Sequence, residues 1–238
     1  FIYFNFMKKK IKLPNVTLLA ATSIDIEQTQ LALRISAHNI EFEAIKLLCS
    51  SEPKKKYSDI EYISIPQMDL LGYGKLIIKD LHKYFKTSHC LIVQSDSFVV
   101  DASLWNEEFL KYDYIGAPWS EEVHVNPNLV LNMKENPVGN GGFSLRSHKL
   151  TKITSKIDFD SLKLPIKSED VVICHYLYKD MIDQGIRFAT PELAAKFSIE
   201  NENNLYGQNV NSVFGFHGKH LRDHFLKKYI LRSSIGEW

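Results

Sequence analysis

Apolar runs and helical stretches alternate through the first half of the chain, and this alternation limits the fold more than any other feature. Val16 to Thr22 reads as a first buried strand. Ser23 is the expected N-cap of a helix with Asp25 and Glu27 in its first turn, running to about Ala37 with Leu31 and Ile35 facing inward. Phe42 to Leu48 is a second strand and Tyr62 to Ile65 a short third one. Between Gly74 and Phe85, the residues Ile77, Leu81, Tyr84 and Phe85 have the spacing of an amphipathic helix. That helix leads into a fourth apolar run, Cys90 to Val93. Strands alternating with helices wind right-handed into a mainly parallel sheet. The expectation is a single α/β domain with a central, mostly parallel mixed sheet flanked by helices.

The second half reads differently. A short helix is expected between Trp105 and Tyr114, followed by Asp113-Tyr114-Ile115-Gly116-Ala117-Pro118-Trp119. Residues 121 to 137 carry few periodic apolar positions, two prolines and several asparagines, and are expected to form a long functional loop. Val138 to Arg146 reads as a glycine turn entering a strand. Ser168 is expected to cap a helix with Ile173, Tyr176, Leu177 and Met181 inward. Arg187 to Thr190 and Phe197 to Ile199 are expected as further strands.

Composition excludes more than it assigns. With 238 residues, 45% hydrophobic and 24% charged, the chain suits one globular domain with a large core. Lys plus Arg number 29 against 28 Asp plus Glu, a net charge of +1, so nothing calls for a nucleic-acid partner. The runs Lys8-Lys9-Lys10 and Lys54-Lys55-Lys56 read as solvated loops or tails. Cys49, Cys90 and Cys174 lie in apolar segments without CxxC spacing, as buried reduced thiols do, and this leads to a cytoplasmic expectation. No segment approaches the ~20 apolar residues of a membrane span. Phe1 to Phe6 is too short for the apolar part of a secretion signal, and Met7 before the lysines is expected as the natural start. The expected division is therefore an N-terminal extension over 1–10, the domain over 11–225 and a tail over 226–238; the oligomeric state is left open.

Four stretches carry candidate chemistry. The fourth strand ends in Gln94-Ser95-Asp96, and ligands of open α/β sheets sit beyond the carboxyl ends of strands. Asp96 either caps a turn or holds a divalent cation carrying a diphosphate. By the same rule Thr22 and Ser23, beyond the first strand, are placed to meet a nucleoside. Gly139-Asn140-Gly141-Gly142 precedes a strand, which rules out a dinucleotide fingerprint and leaves a structural turn or a ligand platform. Glu169 and Asp170 in a first helical turn either stabilise the helix or supply a general base. His217 in Phe216-His217-Gly218-Lys219 offers a metal ligand and Lys219 a phosphate partner, against the plainer reading of a surface loop.

The order QSD (94–96), DYIGAPW (113–119), GNGGFSLRS (139–147), SEDVVIC (168–174) and FGFHG (214–218) resembles a bacterial and viral family of glycosyltransferase-like proteins, domain of unknown function 5672, with a GT-A (Rossmann-related) fold. Gly142 to Ser147 followed by Glu169-Asp170-Val171 is more distantly similar to inverting β1,3-galactosyltransferases. The resemblance implies a metal-assisted glycosyltransferase that moves a sugar from a nucleotide-sugar donor, UDP-linked by expectation, to a glycan or other hydroxyl. It implies Mn²⁺ or Mg²⁺ held by Asp96 and His217. Thr22, Ser23, Gln94, Ser95, Asp96 and Lys219 would bind the donor, and Trp119, Asn140, Gly141 and Gly142 the acceptor. Asp170 or Glu169 would be the base, Asp170 slightly favoured. Gln94 departs from the pattern, because the first position of the DxD motif is an aspartate in that fold. Two rival classes are a non-catalytic nucleotide-sugar or carbohydrate-binding protein, for which Gln94 argues, and a sugar nucleotidyltransferase. The latter wants a glycine-rich, arginine-bearing loop after the first strand, where this chain has Ala21 to Asp25.

Overall fold

A computed structural model describes residues 10–201 and 205–234. Residues 1–9 of the expected extension and 235–238 of the expected tail lie outside them. Eleven strands are present among the described residues: β1 (Ile11–Thr22), β2 (Ile40–Cys49), β3 (Glu61–Ser64), β4 (His89–Val93), β5 (Ser97–Val99), β6 (Tyr114–Ile115), β7 (Glu122–Asn126), β8 (Leu129–Asn132), β9 (Phe143–Ser147), β10 (Ser198–Ile199) and β11 (Gly215–His217). The main sheet has the order β3-β2-β1-β4-β9-β6. Its first four strands are parallel, whereas β9 runs antiparallel to both β4 and β6. The chain is thus a single mixed α/β domain with a mostly parallel six-stranded sheet, as the alternation of strands and helices requires.

The helices are α1 (Ile26–Ser36), α2 (Leu70–Lys75), α3 (His148–Thr154), α4 (Glu169–Val171), α5 (Tyr178–Asp183), α6 (Pro191–Phe197) and α7 (Lys219–Ser234). They cover both faces of the sheet. On β1, Leu18 and Ala20 face one layer while Leu19 and Ala21 face the other; on β4, Leu91 and Val93 oppose Cys90 and Ile92. This period of two in strands buried on both sides explains why they read as unbroken apolar runs. Ile77 and Leu81 from the helical segment 70–83, and Phe85 just after it, pack on the second face. That segment is α-helical to Lys75, a π-helix over Leu76–Asp80 and a 3₁₀ turn over Leu81–Lys83. A smaller three-stranded sheet, β10-β11-β5, covers α1 through Ala32 and Ile35.

Several local expectations are corrected. Ser23 does not cap α1; Asp25 is the N-cap in a left-handed conformation (φ 51°), and Ser23 Oγ instead accepts the Met68 N–H at 2.9 Å. Leu31 is exposed, and the buried face of α1 runs through Ala32, Leu33 and Ile35. The expected loop over 121–137 contains the β7–β8 hairpin, in which Asn126 ends β7 and Pro127 and Asn128 form the turn. Arg187 to Thr190 forms only a bridge at Phe188 to Tyr114. The FGFHG segment is the strand β11. The boundary expected after residue 225 falls inside α7, whose Leu221 and Phe225 are buried.

Candidate active site

Strand order locates the site. From β1 the chain moves to β2 and β3 on one side and to β4 on the other, so a crevice opens beyond the carboxyl ends of β1 and β4. A cleft of about 270 Å³ lies there, lined by Thr22, Ser23, Asp69, Tyr73, Gln94 and Ser95 among others. Ser23 ties the end of β1 to the segment before α2, and Asp69 caps α2 by accepting the Gly72 N–H at 2.8 Å. Gln94 Nε2 donates to the Tyr73 hydroxyl at 3.0 Å, and burial pushes that hydroxyl's pKa up.

The small sheet assembles the rest. Strands β5 and β11 pair antiparallel with Ser97 opposite His217, and β10 pairs parallel to β11 with Ile199 opposite Phe216. One residue beyond each register pair stand Asp96 and Glu200, so both flank His217. Asp96 Oδ1 lies 3.5 Å from His217 Nε2, and Glu200 Oε1 lies 3.3 Å from Nδ1. Asn140, at φ 42°, places its side-chain amide 3.0 Å from the same Nδ1. Burial alone would lower the His217 pKa, but the Glu200 hydrogen bond and the charges of Asp96, Glu200 and Asp170 hold it above 6.5.

The glycine turn is pressed against these side chains. A Cβ on Gly142 would lie 2.2 Å from the His217 ring, and one on Gly141 2.0 Å from Glu169 Oε1, so only glycine admits this approach. The Gln94 N–H donates to Ser97 Oγ, and Ser97 Oγ donates to the Gly142 carbonyl, each at 2.7 Å. The strand-end turn and the glycine turn are thereby locked together.

The two adjacent acids have different surroundings. Glu169 is 4% exposed, with Oε2 2.6 Å from Nη1 of the fully buried Arg146, whose guanidinium also lies 4.9 Å from the Tyr114 ring centroid. Burial raises the Glu169 carboxyl above its usual range despite Arg146, and Arg146 stays charged. Asp170 is half-buried; its Oδ2 accepts the Gly141 N–H at 2.9 Å and its Oδ1 the Val171 N–H at 2.8 Å. Ser168 occupies the N-cap without a side-chain cap bond.

The structure therefore brings Thr22, Ser23, Gln94 and Ser95 to one cleft, and Asp96, Asn140, Gly141, Gly142, Asp170 and His217 to its neighbourhood. Lys219 is exposed at the start of α7. Trp119 is 7% exposed, its six-membered ring packed on the backbone of Gly139, with part of it lining a second cleft of about 520 Å³ that also includes Glu200 and His220. Glu200, Ser97 and Arg146 were missed as site residues. Glu200 repeats the signal of Asp96, an acid at the end of a short apolar strand, but only pairing with β11 gives it meaning. An imidazole nitrogen and a carboxylate oxygen 3.5 Å apart can share one ion. Among the described residues, however, no group of three or more His, Cys, Asp or Glu is arranged to hold a metal.

The family described as "Protein of unknown function (DUF5672)" matches residues 69–217, from the cap of α2 to the site imidazole. The chain belongs to that family. Among solved structures, this family member is similar to the glycosyltransferase GlyE of Streptococcus pneumoniae TIGR4, in its apo form and in a second structure of the same enzyme, at 12% identity and a TM-score of 0.53. The match covers 96% of this chain and 62% of the GlyE chain. A glycosyltransferase involved in glycosylating the major capsid of PBCV-1 matches at 13% identity over 91% of this chain and 98% of that one, with a TM-score of 0.47. At such identity the likeness to GlyE is one of fold. A comparison with curated protein sequences finds no match. No helix among the described residues is long and apolar enough to cross a membrane.

Proposed function

We propose that the protein is a glycosyltransferase with a GT-A-type site, moving a sugar from a nucleotide-sugar donor, UDP-linked by first expectation, to a hydroxyl of a glycan or other acceptor. One observation carries this reading: the Asp96–His217–Glu200 row, built at β5, β11 and β10, begins one residue beyond Ser95, which lines the cleft at the ends of β1 and β4. The 270 Å³ cleft suits the nucleoside, with Thr22, Ser23, Gln94 and Ser95 on its walls. Asp96 and His217 would hold Mn²⁺ or Mg²⁺, which when bound neutralises charge on the departing diphosphate. With two protein donors, that ion would be held weakly without the diphosphate.

In an inverting transfer the acceptor hydroxyl gives its proton to a carboxylate. Asp170 fits this role better than Glu169, because it is half-buried while Glu169 is enclosed with Arg146. Two backbone N–H groups, those of Gly141 and Val171, fix the orientation of the Asp170 carboxylate. Asn140 and the two glycines brace His217 and the acids rather than forming an open platform. Trp119 would offer its exposed edge to the acceptor from the second cleft.

Calorimetry with UDP and GDP, with and without Mn²⁺, followed by hydrolysis of a panel of nucleotide sugars, tests the proposal. Binding of one nucleotide, strengthened by Mn²⁺, and slow donor hydrolysis that Asp96→Ala abolishes are expected. Gln94, bonded to Tyr73 where a carboxylate would hold metal, favours one rival, a non-catalytic binding protein. Saccharide binding without any nucleotide binding would establish that rival instead.

A further inference from the structure

The walls of the 270 Å³ cleft carry one charged side chain, Asp69. A carboxylate among neutral groups suits the nucleoside end of a nucleoside diphosphate and repels its phosphates. The phosphates must then lie outside that cleft, over the turn where Ser95 passes to Asp96.

A cation is fixed at that turn. Arg222 lies in the first turn of α7, and its Nε–H donates to the Ser95 carbonyl at 3.0 Å, across 127 positions of sequence. Its own backbone N–H closes on Gly218 O at 3.1 Å, and Leu221 and Phe225 beside it are buried in the small-sheet core, so the side chain stands on a rigid element. The side chain is 24% exposed, and its nearest carboxylate among the described residues, the outward-facing Asp223, is 3.9 Å from Nη1, beyond hydrogen-bond reach. A guanidinium has five N–H donors, and Ser95 engages one of them. The remaining fork has the geometry that recognises phosphate oxygens. Its charge is also apt here, since Gln94 withholds the second carboxylate that would anchor a cation at the same turn.

We propose that Arg222 binds the diphosphate of the donor and stabilises it as it departs, an assignment that rests on the glycosyl-transfer reading. In that transfer the bond between the sugar's anomeric carbon and the phosphate oxygen breaks, and its electron pair stays on that oxygen. The acceptor oxygen bonds to the anomeric carbon and loses its proton to the base. Arg222 donates hydrogen bonds to the phosphate oxygens and keeps its protons throughout.

Calorimetry of the parental protein, Arg222→Met and Arg222→Lys with uridine, UMP and UDP, and with the guanosine series, tests this in Mn²⁺ and in EDTA. Arg222→Met is expected to weaken nucleoside diphosphate binding about 10- to 100-fold while nucleoside binding stays within about twofold. The loss should persist in EDTA, because the guanidinium does not act through an ion. Arg222→Lys keeps the charge and is expected to recover part of the affinity, which also covers the case of a misfolded methionine variant. An unchanged diphosphate affinity overturns the assignment. So does an equal loss for nucleoside and diphosphate, which would make Arg222 a brace for the turn alone. A parental protein that binds none of these nucleotides removes the glycosyl-transfer reading itself, a result distinct from both.

Discussion

Arg146 and Glu169 form the most enclosed charge pair described in the protein, 1% and 5% exposed at their side chains. Their attraction must offset a large desolvation cost, so each alone is a liability. Arg146→Met should therefore destabilise the fold by about 3–5 kcal/mol, and Arg146→Met with Glu169→Leu should recover most of that loss, as urea denaturation would measure. Lower stability in the double variant than in the single one would contradict it. This pair also shows what residue-level reading can reach. Adjacent acids after a serine announce a helix start, and the string 139–147 announces a turn into a strand. Nothing in either says that the arginine at 146 takes one acid and the Gly141 amide the other, because that division depends on two turns meeting in space. Asp96 and His217 were legible as chemistry; Glu200 and Arg222 acquire partners only through tertiary contact.

At the level of elements, the site hangs on the three short strands β5, β10 and β11 and on Ser97, which joins them to the glycine turn. Ser97 is fully buried and satisfies two backbone groups, the Gln94 N–H and the Gly142 carbonyl. Ser97→Ala leaves both unpaired and should cost about 1–3 kcal/mol in thermal or urea unfolding. On the proposed glycosyl-transfer reading it should also loosen the spacing of Asp96 and His217 and lower the affinity for Mn²⁺ with nucleotide, which calorimetry would detect. Long buried strands were legible because both faces are apolar; β1, β2 and β4 extend the expected runs by a few residues. Of the strands of two or three residues β10 was expected, within Phe197 to Ile199, but β5, β6 and β11 were not, since they are too short for periodicity to register. The β7–β8 hairpin was hidden for another reason: Val125 and Val130 stand exposed, and its turn residues are those of any loop.

For the molecule as a whole, the two-sided core places Cys90 in the centre of the sheet, fully buried, and burial pushes its pKa from 9.0 up to about 12. A thiol whose pKa is raised on folding contributes stability that is complete below the unfolded value and disappears as pH climbs to the folded one. Between pH 9 and 12 the fold should thus lose about 4 kcal/mol through this group, and burial raises Cys49 and Cys174 in the same direction. Denaturation midpoints followed from pH 8 to 11 should fall, with a shallower slope in Cys90→Ala; equal slopes would show that the thiol does not titrate on unfolding. The small sheet has a consequence of a different kind. Its central strand, β11, is the one that follows the other two in the chain, and β5 and β10 meet only through it. During synthesis, a nascent chain that has emerged through residue 201 has its large sheet and most of its core but no row of Asp96, His217 and Glu200. The 270 Å³ cleft is lined by residues 21–95 and can be complete by then, whereas the row waits until the ribosome delivers residues 215–217, so the two parts of the site are finished at different times.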